Sequence, residues 1–192
     1  MKRILVLLAE GFEETEAVSA VDVLRRGDVS VTLCSLGETL VEGSRHMTLK
    51  ADTTIDRISA ADFDGIYLPG GTKGAETLRD DARVQQLIRT FYDSGKKVTA
   101  ICAAPIALER AGILKGARVT SNPGVRDVIQ DADYLEDPVV VSGNIITSRA
   151  AGTTIPVALE LLRQLGLDDG ARRASRGMMF DFLMANQEKV KA

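Results

Sequence analysis

Cys102 stands in the run Val98-Thr99-Ala100-Ile101-Cys102-Ala103-Ala104-Pro105, where an apolar stretch ends abruptly at a thiol. Small residues and a proline follow, which predicts a strand turning sharply into a helix. Pro105 suits the first helical turn, because the N–H it lacks would have no partner there. Such a corner projects one side chain above a sheet and aims free backbone N–H groups at it. The positive potential of a helix terminus favours a thiolate, and can draw a cysteine pKa from about 8.5 into roughly the 3.5–7.5 range. A reactive nucleophile is one reading of Cys102. A buried structural cysteine closing a core strand is the other.

Glu13, Glu14 and Glu16 follow the first apolar run at the mouth of a helix. Carboxylates there complement the helix dipole, and two of the three are expected to do only that. A carboxyl turned inward would instead be desolvated, its pKa raised so that it keeps a proton. It could then donate to a thiolate or pass a proton to a bound carbonyl. Gly70-Gly71-Thr72-Lys73-Gly74 lacks both nucleotide-binding spacings, G-x-x-x-x-G-K-[ST] and G-x-G-x-x-G. Its glycines fit an oxyanion-binding loop or, equally, a tight turn after a strand. The single histidine, His46, excludes zinc sites built from several histidines. Beside Ser44 and Arg45 it reads as an exposed surface residue.

These groups need a scaffold, and the apolar pattern supplies one. Arg3–Ala9, Val29–Cys34, Gly65–Pro69 and Lys97–Ile101 read as strands, and Val139–Ser148 as a hairpin turning at Gly143-Asn144. Helices are expected over Glu14–Arg26, with Val18, Val21 and Leu24 on one face, and over Arg83–Tyr92. Others should close at Ala107–Arg110, span Thr153–Gln164, and run near Ala171–Met184. Residues 38–52 are shorter in pattern and more polar, as in a small hairpin or excursion. The alternation implies an α/β fold with an open, mainly parallel sheet and helices on both faces, whose ligands bind where strands exit. At 192 residues the chain reads as one domain, with no internal repeat or linker. A net charge of −3 gives no footprint for nucleic acid or an anionic membrane. Two cysteines, Cys34 and Cys102, make no disulfide framework and fit a reducing compartment. The first apolar run is too short to span a membrane, so a cytoplasmic location is expected.

Taken together, Glu13-Glu14-Thr15-Glu16 before Val21-Asp22-Val23-Leu24-Arg25-Arg26, Leu68-Pro69-Gly70-Gly71 and Ala100-Ile101-Cys102-Ala103-Ala104-Pro105 resemble the ThiJ/PfpI superfamily. The branch resembled is that of the parkinsonism-associated protein deglycase. Gly43-Ser44-Arg45 and Ser148-Arg149-Ala150-Ala151-Gly152-Thr153 align with the same pattern, and the match spans nearly the whole chain. The resemblance implies a flavodoxin-like three-layer sandwich, a single domain over 1–192, and a homodimer. It implies Cys102 as an oxidation-sensitive nucleophile, Glu16 as the carboxyl contacting its sulfur, and Gly71 with Ala103 as backbone donors. It places Gly70, Asn122, Arg26 and Arg45 near the pocket, with Arg45 reaching toward a partner subunit. The activity implied is cofactor-free, metal-free and glutathione-independent turnover of methylglyoxal and related reactive carbonyls, of glyoxalase or deglycase type. The alternative is an oxidative-stress sensor or chaperone in which turnover is incidental. Two departures bear on mechanism. Ala103 stands where cysteine hydrolases on similar folds carry a histidine, and Asn122 stands where the family often has one. Asn122 cannot serve as a general base, which shifts proton traffic to Glu16.

Overall fold

The computed structural model describes residues 1–190. β1 (Arg3–Leu8) leads through α1 (Glu14–Arg26) to β2 (Ser30–Ser35), a hairpin of β3 (Leu40–Glu42) and β4 (Thr48–Lys50), and β5 (Thr53–Thr54). β6 (Gly65–Leu68), α2 (Thr72–Asp80), α3 (Ala82–Asp93) and β7 (Lys97–Ile101) follow. Next come α4 (Pro105–Arg110), the short β8 (Arg118–Val119) and β9 (Asp133–Tyr134), and the hairpin β10 (Val139–Ser142) and β11 (Ile145–Ser148). The described chain closes with α5 (Thr154–Gln164), α6 (Asp168–Gly177), α7 (Phe180–Ala185) and one 3-10 turn.

Seven strands form the central sheet in the order β10-β11-β7-β6-β1-β2-β5. Only β10 runs antiparallel to its neighbour; the remaining pairs are parallel. Because side chains alternate along a strand, β1 feeds two cores at once. Leu5 and Leu7 pack with Leu78, Ile88 and Phe91 under α2 and α3, while Ile4, Val6 and Leu8 pack with Ala17, Ala20, Leu24 and Leu161 under α1 and α5. The result is the flavodoxin-like α/β sandwich the sequence implies. The order reverses beside β1, since β2 lies on one side and β6 on the other. Open sheets bind ligands in the crevice at such a switch point, beyond the strands' carboxyl ends.

Three expectations need correction. Val18 is 45% exposed, because the inward stripe of α1 is Ala17, Ala20, Val21 and Leu24, at i, i+3, i+4 and i+7. α2 begins at Thr72, inside the stretch read only as a glycine loop. The terminal helix is two helices, broken where Met179 takes a left-handed φ of +57°. The 38–52 excursion is the β3–β4 hairpin, and β10 and β11 turn at Gly143 as the sequence predicts.

Candidate active site

β7 stops at Ile101, and Cys102 adopts a φ of +63°, a region costly for any residue with a side chain. The corner is pinned on both sides: the Cys102 N–H donates to the Ser148 carbonyl at 3.0 Å, and its carbonyl accepts the Asn122 N–H at 2.8 Å. The sulfur lies beside the backbone N–H groups of Ala103 and Gly71 and the Glu16 carboxyl, all of which act on its proton. It is only partly buried, whereas the Cys34 sulfur is sealed in the core.

The β6 exit brings a second backbone against this corner. A Cβ on Gly70 would lie 2.7 Å from both the Cys102 Cβ and the Glu16 Oε2. Gly71 has a φ of +87°, and a Cβ there would lie 2.3 Å from the Gly11 carbonyl oxygen. Neither position admits a side chain, so the glycine pair serves close approach as well as the turn. The Gly70 N–H donates to Glu16 Oε2 at 2.7 Å. Glu16 itself is fully buried in the first turn of α1, and its Oε1 has no hydrogen-bond partner of its own. The three glutamates thus diverge. Glu13 caps α1 by accepting the Glu16 N–H at 2.7 Å, Glu16 points at the sulfur, and Glu14 turns toward the β3–β4 hairpin.

Burial pushes the Glu16 carboxyl up to about 7, against the opposing pull of the Gly70 N–H and the Cys102 thiol. Burial also pushes the Cys102 thiol up to about 12, the Glu16 charge and hydrogen bond adding to it while the Ala103 and Gly71 N–H groups oppose. The depressed thiol pKa expected of a helix terminus is therefore not what the structure yields. α4 is only six residues long, and desolvation beside a carboxylate outweighs it. The two shifts make Glu16 the member of the pair that loses its proton first as pH rises through about 7, while Cys102 stays a thiol. Cys34 is also pushed up to about 12, by burial and then the Asp56 charge, with no acceptor carboxylate at its sulfur.

A cavity of about 630 Å³ opens over Cys102, walled by Gly71 and Ala103 on the inside and by Asn122, Arg45, His46 and Lys73 toward its mouth. Asn122 Oδ1 accepts the Gly124 N–H at 2.9 Å, which commits that oxygen to a turn. His46 is exposed, as expected, yet it also lines the mouth, with Nδ1 2.7 Å from Glu42 Oε1. Arg26 does not belong here. It lies ten residues along α1 from Glu16, about 15 Å at 1.5 Å per residue, and pairs with Asp22 at 2.9 Å. The sequence reading gave Lys73 no role of its own and offered Glu14 helix electrostatics as its plain role. The signal for Lys73 was Ala75 and Leu78, spaced to bury one face of α2 and bring its first turn to the cavity. Among the described residues no cluster of three or more His, Cys, Asp or Glu side chains is placed to hold a metal, and no helix is long and apolar enough to cross a membrane.

Residues 2–164 match the model of the DJ-1/PfpI family. DJ-1 homolog A of Arabidopsis thaliana is 39% identical over 164 residues; these cover 84% of this chain but only 42% of that protein, so the chain spans less than half its length. A deglycase of Pyrococcus abyssi is 32% identical over 152 residues, covering 78% of this chain and 91% of its own. The crystal structure of Drosophila melanogaster DJ-1beta superposes with a TM-score of 0.89 at 36% identity, covering 93% of this chain and 97% of that one.

Proposed function

We propose that this chain, which belongs to the DJ-1/PfpI family, is a cysteine-dependent enzyme of glyoxalase or deglycase type acting on methylglyoxal and related reactive carbonyls. The observation that carries the reading is Cys102, which lines an open cavity, with the fully buried Glu16 carboxyl beside its sulfur. The deglycase of Pyrococcus abyssi supports the reaction class.

Glu16 takes the thiol proton as sulfur adds to the aldehyde carbon and returns it to the new alkoxide oxygen, which completes a hemithioacetal and frees the carboxylate again. The N–H groups of Gly71 and Ala103, which are beside the sulfur, would stabilise the developing oxyanion. Glu16 then carries a proton from the first carbon to the second through an enediol, leaving a thioester on Cys102. Water hydrolyses it to a 2-hydroxy acid and restores the thiol. One carbon is oxidised as its neighbour is reduced, so methylglyoxal and water give lactate and the step sequence calls for neither glutathione nor an external redox partner. Asn122, with Oδ1 engaged by Gly124, offers no base to replace Glu16.

A second reading is favoured by the partial exposure of Cys102 between two N–H donors and a carboxyl: an oxidative sensor or chaperone in which peroxide takes the sulfur to a sulfinate. The deciding experiment is methylglyoxal turnover by the purified protein without glutathione, beside Cys102→Ser. Lactate formed by the wild type and lost in the variant supports the enzyme. Absence of turnover with stoichiometric sulfinate formation supports the sensor.

A further inference from the structure

Glu14 does more than complement the α1 dipole. Its side chain is 5% exposed, and its carboxylate faces the tip of the β3–β4 hairpin. Oε1 accepts the Arg45 N–H at 2.6 Å and the Met47 N–H at 3.3 Å, and Oε2 accepts the Ser44 hydroxyl at 3.2 Å. A Cβ on Gly43 would lie 2.4 Å from both the Glu14 Cδ and Oε1, so the carboxylate seats only against a residue without a side chain. Beyond it the chain reverses through His46, whose φ is +64°. Two backbone bonds join the same turn to the β1 exit, Gly11 N–H to the Glu42 carbonyl at 2.8 Å and Ser44 N–H to the Phe12 carbonyl at 2.7 Å. Arg45 and His46, the residues this turn carries, line the mouth of the Cys102 cavity.

We propose that Glu14 is a positioning residue that seats the 43–47 turn, and through it Arg45 and His46, as the outer wall of the Cys102 cavity, so that substrate binding depends on Glu14 while the chemistry at sulfur does not. The proposal rests on the reading of that cavity as the substrate site. Helix geometry explains the division of labour. Residues two apart on a helix point about 200° from each other, so Glu14 faces the hairpin while Glu16 faces the sheet corner. Although burial acts to raise the Glu14 pKa, the N–H groups of Arg45, Glu14 itself and Met47 and the Ser44 hydroxyl prevail and hold it below the ordinary carboxylate value. The latch is therefore charged, and charge-assisted bonds of this kind are the strong ones.

The test compares Glu14→Ala, Glu14→Gln, Gly43→Ala and the Glu14→Ala/Gly43→Ala double variant. In Glu14→Ala the Arg45 and Met47 amides should exchange their protons about 10-fold faster or more, while Gly11 and Ser44, bonded to backbone carbonyls, keep their protection. KM for methylglyoxal should rise about 5-fold or more with kcat and the Cys102 alkylation rate within about twofold of wild type. Glu14→Gln keeps an acceptor for the Arg45 N–H and should recover most of the loss. Gly43→Ala displaces the carboxylate and should reproduce the defect, but should add nothing once Glu14 is alanine. Uniform loss of protection, additive effects in the double variant, or a fall in kcat matched by slower alkylation would each overturn the proposal. Should wild type show no dicarbonyl turnover, the functional reading fails, and the exchange and double-variant comparison still decide whether Glu14 seats the turn.

Discussion

Replacing Glu16 with glutamine tests the buried base directly, because it removes the charge and keeps the shape. Folding raises this carboxyl from its ordinary 4.5 to about 7, with burial as the leading cause. The sign follows from proton binding. Between these two pH values the folded state keeps a proton that the unfolded chain has released, so stability falls as pH rises. Below 4.5 the neutral carboxyl is tolerated; above 7 the folded protein carries a buried charge. At about 1.4 kcal/mol per pH unit, the loss amounts to about 3 kcal/mol. Glu16→Gln escapes it, and its amide oxygen can still accept the Gly70 N–H that Glu16 Oε2 accepts at 2.7 Å.

The variant should therefore gain on wild type as pH rises from 5 to 8, where about 2.5 kcal/mol of that loss falls, by roughly 5–10 °C in melting temperature for a chain of this size. Turnover at pH 8 should disappear, since the glutamine amide accepts no proton from the thiol. The Cys102 thiol pKa, no longer raised by a neighbouring carboxylate, should fall relative to wild type. Thermal melts at both pH values, turnover and a pH series of thiol alkylation make the measurement. An equal difference in melting temperature at pH 5 and pH 8 would refute the buried-charge reasoning. Near-normal turnover would exclude Glu16 as the proton carrier.

In the wild type, turnover should rise with pH through about 7 as Glu16 loses its proton, and a flat profile between pH 6 and 8 would count against a carboxylate base. Limited alkylation at neutral pH followed by peptide mapping should label Cys102 and spare the fully buried Cys34; preferential labelling of Cys34 would reverse the assignment. Gly71→Ala should cost roughly 2–4 kcal/mol in urea unfolding and abolish turnover, because its Cβ would sit 2.3 Å from the Gly11 carbonyl oxygen at a φ of +87°. Light scattering at micromolar concentration should give a dimer mass, a proposal drawn from the family resemblance. A monomer would confine Arg45 to the cavity of its own chain.

Much of the scaffold was legible because its signals are long and periodic. α1 spans the Glu14–Arg26 expected of it, and β7 the expected Lys97–Ile101. α2 was obscured by Gly74, a residue read as loop chemistry. There glycine serves helix packing instead, since a Cβ would lie 2.9 Å from the Phe12 nitrogen. The break at Met179 depends on a single left-handed residue that is not glycine, which leaves no compositional mark. Thiol and carboxyl were each identifiable from the strand exits, but the direction of the Cys102 pKa was not. It is set by burial and by the neighbouring Glu16, both of which exist only once β1, β6 and β7 are assembled.

The first turn of α1 shows why spacing along a sequence understates a site. Glu13, Glu14 and Glu16 are chemically near-identical there, and dipole electrostatics treats them alike. Their tasks separate because each residue is rotated about 100° from the last. Glu13 closes the helix end, Glu14 accepts the hairpin donors, and Glu16 enters the crevice beside β6 and β7. One turn thereby fixes the helix start, the cavity wall and the base against a common frame. A one-residue insertion ahead of Glu16 would rotate that carboxyl away from Cys102 and bring another side chain onto the sulfur. The geometry of the site accordingly resides in the register of this turn relative to the β1 exit, where Phe12 is held by its N–H to the Ala9 carbonyl at 3.0 Å and Glu13 by its N–H to the Gly70 carbonyl at 3.0 Å. The second of these bonds ties the carboxylates to the same β6 exit that presents Gly71 to the sulfur, so base and backbone donors cannot shift independently.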